Sequence, residues 1–364
     1  MNFRLWGGIL AAVTLIGGLL IFFFMSGDQG SENNENFNNN NNNNNKDMLV
    51  AEKPDDISRK RDEKDDEDEM NWSRVSHTTG TPLSKIQEND YYFFSVIENS
   101  QQARPQAGLA SADIVLEMEV EGTTTRFLAL FNDEIPNRIG PVRSARHYFL
   151  PFPEHWNADF YHFGKSKFAE SDLANLRVNN FDGTSSGYGY YERDLSRKSP
   201  HNAFLIKDRI ETNSNDKTND YFTFSQNGEE LVSGEEIQRI NIAYNSFTNI
   251  SYVYDQDAGV YNRSLEGVPH NDLDSGKQVR PSNVVFMYAD HSNLGTKQGH
   301  IDIDLDSGGD TKLFSKGQAY DGVWNSNNGS LEFLDNDGEP LMLSPGKTWI
   351  QVIDNNRSDI ASYD

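Results

Sequence analysis

The densest set of residues able to do chemistry lies between Arg138 and His147. Arg138, Arg143, Arg146 and His147 crowd around Gly140-Pro141. Arginine offers a planar fork of donors that fits a carboxylate or phosphate with two parallel hydrogen bonds. Gly-Pro marks a turn, so the segment reads as a strand end or loop rather than an amphipathic helix. In an acidic chain the cluster has two uses. It holds an anionic ligand, or it pairs internally with Glu117, Glu119 and Glu121. Those glutamates alternate with Leu116, Met118 and Val120, which puts the three carboxylates on one strand face. Three like charges on one face need water or cations, and Arg126, Arg143 and Arg146 are the cations on offer. One of Arg143 and Arg146 is then expected to enter a cleft, and the other to pair with Glu117 or Glu121.

A second polar run covers residues 191–202. His201 and Asn202 follow Pro200, in extended or turn geometry. A loop histidine near arginines is either an acid–base group or a hydrogen-bonded structural residue. His162 lies between Tyr161 and Phe163 and faces away from them on a strand.

Three motif matches carry little. Gly183, Ser185 and Gly187 fit the nucleophile-elbow spacing, but a weak strand precedes them and no helix start follows. Asp302, Asp304 and Asp306 resemble a calcium loop, yet Ser307 and Leu313 stand where glycine and glutamate are required. Their alternation with Ile301, Ile303 and Leu305 reads as an amphipathic strand. His155 and His162 are not at a zinc-binding spacing. No metal site and no cofactor is expected.

These residues need elements to position them. Residues 91–97, 113–120 and 126–131 carry the aromatic and β-branched runs of buried strands, and 160–163 is a shorter one. Residues 166–176 read as a helix, with Phe168, Leu173 and Leu176 on one side and Ser166 as N-cap. Past Phe224 the character changes. Short strand-like runs at 240–243, 250–254, 284–288, 300–305, 331–334 and 348–353 alternate with turn signals. Asp337-Gly338 is expected to form a type I′ hairpin turn. The fold class expected is α+β: a mixed N-terminal α+β domain over 82–224, then a smaller, mostly β domain over 238–356, as a sandwich or small barrel.

The remaining segments set the address. Residues 5–25 carry no charge, and as a helix they would cover roughly the 30 Å of a bilayer core. Arg4 precedes the run and Asp28, Glu32 and Glu35 follow it. The positive-inside rule then puts residues 1–4 in the cytoplasm and the bulk of the chain outside, as a single-pass cell-membrane protein. Cleavage as a signal peptide would place Phe24 or Met25 at the −3 position, where a small residue is needed. Residues 26–80 read as a disordered tether, with an asparagine tract at 38–45 and an acidic block at 52–69. Its span is roughly 40 Å. The chain has no cysteine, which removes disulfides, thiolate zinc sites and cysteine nucleophiles together. A net charge of −24 disfavours nucleic acid as a partner.

Residues 99–115 (NSQQARPQAGLASADIV), 120–122, 125–127 and 139–146 (IGPVRSAR) resemble the YerB-like lipoproteins, a bacterial family of unknown function. Residues 196–202 (SRKSPHN), 267–272 (GVPHND) and 343–350 (LSPGKTWI) fit the same pattern. The match runs from about Phe93 to Ile353. It implies an envelope protein with an N-terminal α+β domain and a smaller C-terminal domain, and no reaction. Family members present a lipobox cysteine after the signal. Here Met25, Ser26, Gly27 and Asp28 stand there, so the membrane segment itself must be the anchor.

Three functions follow. The first is a membrane-tethered envelope protein that binds a polar or anionic ligand, a small molecule or a cell-wall polymer. Arg126, Arg143, Ser144, Arg146 and Lys198 would hold the ligand, with His201 and Asn202 at the rim. The second is a hydrolase of a wall glycan or phosphodiester. Glu117 or Glu121 would be base or nucleophile, His162 or His201 the acid, and the arginines charge stabilisers. The third is an adaptor whose second domain docks another envelope protein through an exposed apolar patch.

Overall fold

Three apolar runs form the centre of one sheet. Strand β1 (Phe93–Glu98) pairs antiparallel with β3 (Thr125–Phe131), and β3 pairs antiparallel with β2 (Ile114–Glu119). All three are buried along their whole length. Strands covered on both faces read as continuous apolar runs, which is why they are legible in the sequence. The computed structural model describes residues 74–86, 89, 91–185, 187–211, 222–226, 234–327 and 329–364. The expected cytoplasmic tip, membrane segment and most of the tether, up to residue 73, lie outside the described residues. Residues 74–80, expected as the tether's end, are instead packed on the fold, where Thr78 Oγ1 donates to the buried Asp113 Oδ2 at 3.0 Å. Among the described residues no helix is long and apolar enough to cross a membrane.

On one side β1 continues in parallel to β5 (Asp159–His162), and β5 to β6 (Asn180–Asp182). In a separate three-stranded sheet the two-residue strand β4 (Arg138–Ile139) pairs with Ala203–Ile206. On the other side β2 pairs in parallel with Thr348–Asp354, which pairs in parallel with Asn283–Ala289. The antiparallel strands Gly309–Ser315, Gln318–Asn327 and Ser330–Asp335 follow, and this sheet has eleven strands. The expected segments 82–224 and 238–356 therefore contribute strands to a single sheet. Residues 114–117 meet 348–351 in parallel register, a pairing that leaves no local sequence signal.

A five-stranded sheet, built mainly from Arg239–Asn245, Thr248–Asp255 and Val260–Leu265, stands apart from that path. Its Ile240, Ile242, Tyr252 and Tyr261 share one apolar cluster with Val115, Phe127, Phe286 and Trp349 of the large sheet. The opposite face of the large sheet buries Leu116, Met118, Leu128 and Leu130 against Tyr148, Phe149, Phe152 and Trp156. Each such side chain contributes about 1.5–3 kcal/mol on burial.

Helix is scarce, and the architecture is more β-rich than the α+β expectation. The α-helices among the described residues, α1 (Pro151–His155) and α2 (Ala169–Leu173), have five residues each. The helix expected over 166–176 is reduced to α2, though Ser166 Oγ does accept the Ala169 N–H at 3.2 Å. Asp337-Gly338 is a turn but not type I′. Only Gly338 has positive φ (+86°), and Asp335 N bonds to Glu339 O. Type I′ needs positive φ at both central residues. Glu266-Gly267 and Lys316-Gly317 meet that requirement instead.

Candidate functional site

Strands β1, β2, β5 and β6 run in the same direction, so their carboxyl ends share one edge. Glu98, Glu119, His162 and Asp182 end those strands. Residues 142–146 lie along this edge. Arg143 N donates to Val96 O at 2.9 Å, and Ala145 N to Gly164 O at 2.9 Å. Phe163 N and Ser166 N donate back to Arg143 O and Ala145 O, at 3.0 and 3.1 Å. The loop therefore extends the sheet edge, which fixes the direction of its arginines.

Arg146 holds Glu121 with two parallel bonds, Nε to Oε1 at 2.8 Å and Nη2 to Oε2 at 2.6 Å. Arg126 lies 3.9 Å from the same carboxylate and donates to Ser144 O at 2.7 Å. His300, from the second segment, stands 3.5 Å away. Burial pushes the Glu121 carboxyl up, but the Arg146 bonds and the charges of Arg146 and Arg126 outweigh it and hold it low. Burial, and then the neighbouring Arg146 charge, pull the Arg126 guanidinium down.

Arg143 turns toward Glu98, with Nε 3.3 Å from Oε2. Glu98 Oε1 also accepts Ser100 Oγ at 2.8 Å and faces His201 Nδ1 at 2.9 Å. Its Oε2 has no well-aligned hydrogen bond, and neither has Arg143 Nε. The Arg143 side chain is 24% exposed, against 5% for Glu98. Three arginines thus meet two glutamates and two histidines, with the Arg143 fork partly open to solvent.

The other expected residues are elsewhere. Glu117 is fully buried and has no spare lone pair. Oε1 accepts Asn99 Nδ2 at 3.0 Å and Thr125 Oγ1 at 2.9 Å. Oε2 accepts Arg263, Trp349 and Gln351 at 2.9, 3.2 and 3.0 Å. The Arg263 guanidinium lies over the Trp349 ring, 4.7 Å from its centroid. It also touches His270, whose imidazole is held neutral by burial and by that charge. Glu117 is therefore a structural partner and not a free base. Glu119 pairs with Arg357 and, at 3.3 Å, His291. The three glutamates do not share a face. Glu121 lies beyond the end of β2, in a turn where Gly122 takes φ +66°.

His162 is wholly buried. Nδ1 donates to Gly164 O at 2.7 Å, and Nε2 lies 2.6 Å from the Asn180 amide. Burial lowers its pKa. It buttresses the loop and faces no cleft. Asn202 is also structural, accepting Arg193 Nη1 at 2.7 Å and donating to Arg197 O at 3.2 Å. Lys198 is exposed, on the loop before Pro200. The edge thus gathers Arg126, Arg143, Ser144, Arg146, Glu121 and His201, with His162 buried beneath its loop, and leaves out Glu117, Lys198 and Asn202. Sequence reasoning missed Glu98, Ser100 and His300. Glu98 becomes visible only once β1 is paired with β3, which sets it opposite Arg126.

Asp304 caps a turn, accepting the Asp306 and Ser307 amides at 3.0 Å each. Among the described residues no group of His, Asp and Glu is placed to hold a metal ion. After β6, Ser185 sits in a turn that leads to the 3-10 stretch Tyr188–Tyr190 rather than an α-helix.

Asp182 closes the neighbouring loop. It accepts Gly164 N and Thr184 N at 2.9 Å, and Thr184 Oγ1 at 2.8 Å. Lys165 Nζ lies at 3.1 Å. Burial raises its pKa, but those bonds lower it further, from 3.8 to about 2. A depressed folded-state pKa stabilises fully above the unfolded value and is lost as pH falls through the folded one. Stability is therefore expected to drop between 3.8 and about 2, and Asp182→Asn should flatten that part of the profile. Urea midpoints across this pH range check it, and parallel profiles for the two proteins would refute it.

Comparison with known proteins places the chain. The N-terminal domain of a protein of unknown function, DUF3048, matches residues 78–221, and its C-terminal domain matches 240–350. A Bacillus subtilis protein named "Putative lipoprotein YerB" is 35% identical over 267 residues, covering 71% of this chain and 80% of that protein. The crystal structure of YerB from Bacillus subtilis aligns with a TM-score of 0.71 at 32% identity, covering 80% of this chain and 99% of that one.

Proposed function

The chain belongs to the YerB-like DUF3048 family, and from that premise we propose a membrane-tethered envelope protein that holds an anionic ligand at the carboxyl edge of its sheet. The relative's name supports the envelope setting. This chain has no cysteine to carry a lipid, so the uncharged run 5–25 is the proposed anchor, with the folded part outside.

The observation that carries the ligand reading is the open fork of Arg143. Its terminal nitrogens make no hydrogen bond among the described residues, while Arg126 and Arg146 are anchored behind it. Three guanidinium charges face two carboxylates there, which leaves a positive surplus in a chain of net charge −24. An anion with paired oxygens, a carboxylate or phosphate, suits that fork. Calorimetry of the full-length chain with pyrophosphate tests it. Arg143→Ala should weaken binding by roughly tenfold or more, and added salt should weaken it further. Equal affinity in the wild type and the variant would end this reading.

A hydrolase reading keeps one supporting observation, the Glu98–His201 contact with Ser100 alongside. A carboxylate that orients an imidazole is an acid–base arrangement. Turnover of a wall glycan or phosphodiester that vanishes in His201→Ala would favour it. For the adaptor reading, Phe247, Val268, Val323 and, near the C-terminal end, Tyr363 are the exposed large apolar residues past Phe224 among the described residues. They sit on different strands and turns rather than along one element.

A further inference from the structure

A second concavity lies beside the arginine edge and differs from it in chemistry. It encloses about 410 Å³ between residues 99–104, the 122–124 turn and the 245–248 turn. The one charged residue in its lining is Arg104, and most of its donors are committed to neutral acceptors. Nε donates to Asn99 Oδ1 at 3.2 Å and Nη1 to Phe247 O at 2.8 Å. Nη2 donates to Asn99 O at 2.9 Å and to Thr248 Oγ1 at 3.1 Å. The groove therefore offers a ligand few free guanidinium donors.

It offers amides, hydroxyls and one aromatic ring instead. Gln101, Gln102 and Ser246 are exposed, and their side chains have no hydrogen bond among the described residues. An amide side chain supplies a donor and an acceptor together, and a hydroxyl does the same. Phe247 is 57% exposed at the rim. Its open face is a flat apolar surface on which a ligand ring can stack.

The turn that carries Phe247 is rigid. Asn245 Nδ2 donates to Thr123 O at 2.7 Å, and Asn245 Oδ1 accepts Phe247 N at 2.8 Å. With the Arg104 bond to Phe247 O, both polar groups of the Phe247 backbone are held. The platform is preorganised, so little ordering cost falls on binding.

We infer that this groove binds a neutral glycan, with a sugar ring on Phe247 and its hydroxyl or acetamido groups on Gln101, Gln102 and Ser246. A pyranose has a C–H face for an aromatic ring and an equatorial rim of groups that both donate and accept. The amide- and hydroxyl-rich lining matches that rim of groups. Ser100 lines the groove and also donates to Glu98, so the two sites adjoin. The inference goes beyond the anion reading and does not need it.

The test titrates the full-length chain, purified in detergent, with N-acetylchitohexaose and with cellohexaose by calorimetry. At least one is expected to bind, and preference for one identifies the ring substituent that is read. Phe247→Ala removes an exposed side chain and keeps the turn's backbone bonds, so folding is retained. It should weaken binding roughly tenfold or more. Gln101→Ala combined with Gln102→Ala should do the same without touching the ring. Saturating pyrophosphate should leave the sugar affinity unchanged. Absence of binding by both sugars overturns the inference, as does binding indifferent to both variants. Loss of pyrophosphate binding alone bears only on the arginine site.

Discussion

Arg263→Ala is expected to destabilise the fold by about 3–5 kcal/mol, the cost of breaking a buried pair by removing one partner. Arg263 and Glu117 both have fully buried side chains, 2.9 Å apart. Removing the guanidinium leaves the Glu117 charge with four neutral donors and no cation in contact. It also empties the space over Trp349, which adds a cavity cost. The pair joins β2 to Val260–Leu265 of the five-stranded sheet, so the loss should fall on the contact between the two sheets. Glu117→Gln combined with Arg263→Met removes both charges at similar volume, and such replacements are often neutral. Urea unfolding of the full-length chain checks both variants. A loss below about 1 kcal/mol for Arg263→Ala would show that water reaches the pair.

Arg146→Ala should cost about 2–3 kcal/mol and Arg143→Ala about 1 kcal/mol or less. Arg146 makes both bonds to Glu121, and its side chain is 8% exposed. Arg126 and His300 stay near Glu121, which keeps the loss below that of a fully enclosed pair. Glu98 keeps Ser100 and His201 when Arg143 is removed. One arginine is thus a structural clamp and the other is left for a ligand. Thermal melts of the two variants decide it. Equal shifts would show that the neighbours carry equal structural weight, and Arg143 would lose its claim to be free.

The strands at the centre of the large sheet were legible because burial on both faces writes a continuous apolar run. β1, β2 and β3 fall within two residues of the expected bounds. The arginine cluster was legible from charge density alone. The alternation of Glu117 and Glu119 against Leu116 and Met118 also held, since it depends only on the strand's two-residue period. It failed at Glu121, where the strand has ended and Gly122 turns the chain toward Arg146. The partners of Glu117 were hidden because they arrive from distant strands, Arg263 from 146 positions away and Trp349 from 232. Parallel pairing of β2 with Thr348–Asp354 was hidden for the same reason. Gly309–Ser315 and Gln318–Asn327 were missed altogether, although Lys316-Gly317 marks the hairpin between them. Their polar residues alternate with apolar ones too irregularly to stand out.

The central claim is that an anion sits on the open face of Arg143. Soaking crystals of the protein in selenate and collecting data at the selenium edge locates such an ion directly. The account predicts an anomalous peak within hydrogen-bond reach of the Arg143 terminal nitrogens, on the side facing Arg126 and His201, and its loss in Arg143→Ala. Selenate found only at other surface cations, with the Arg143 fork empty or turned into Glu98, would contradict it.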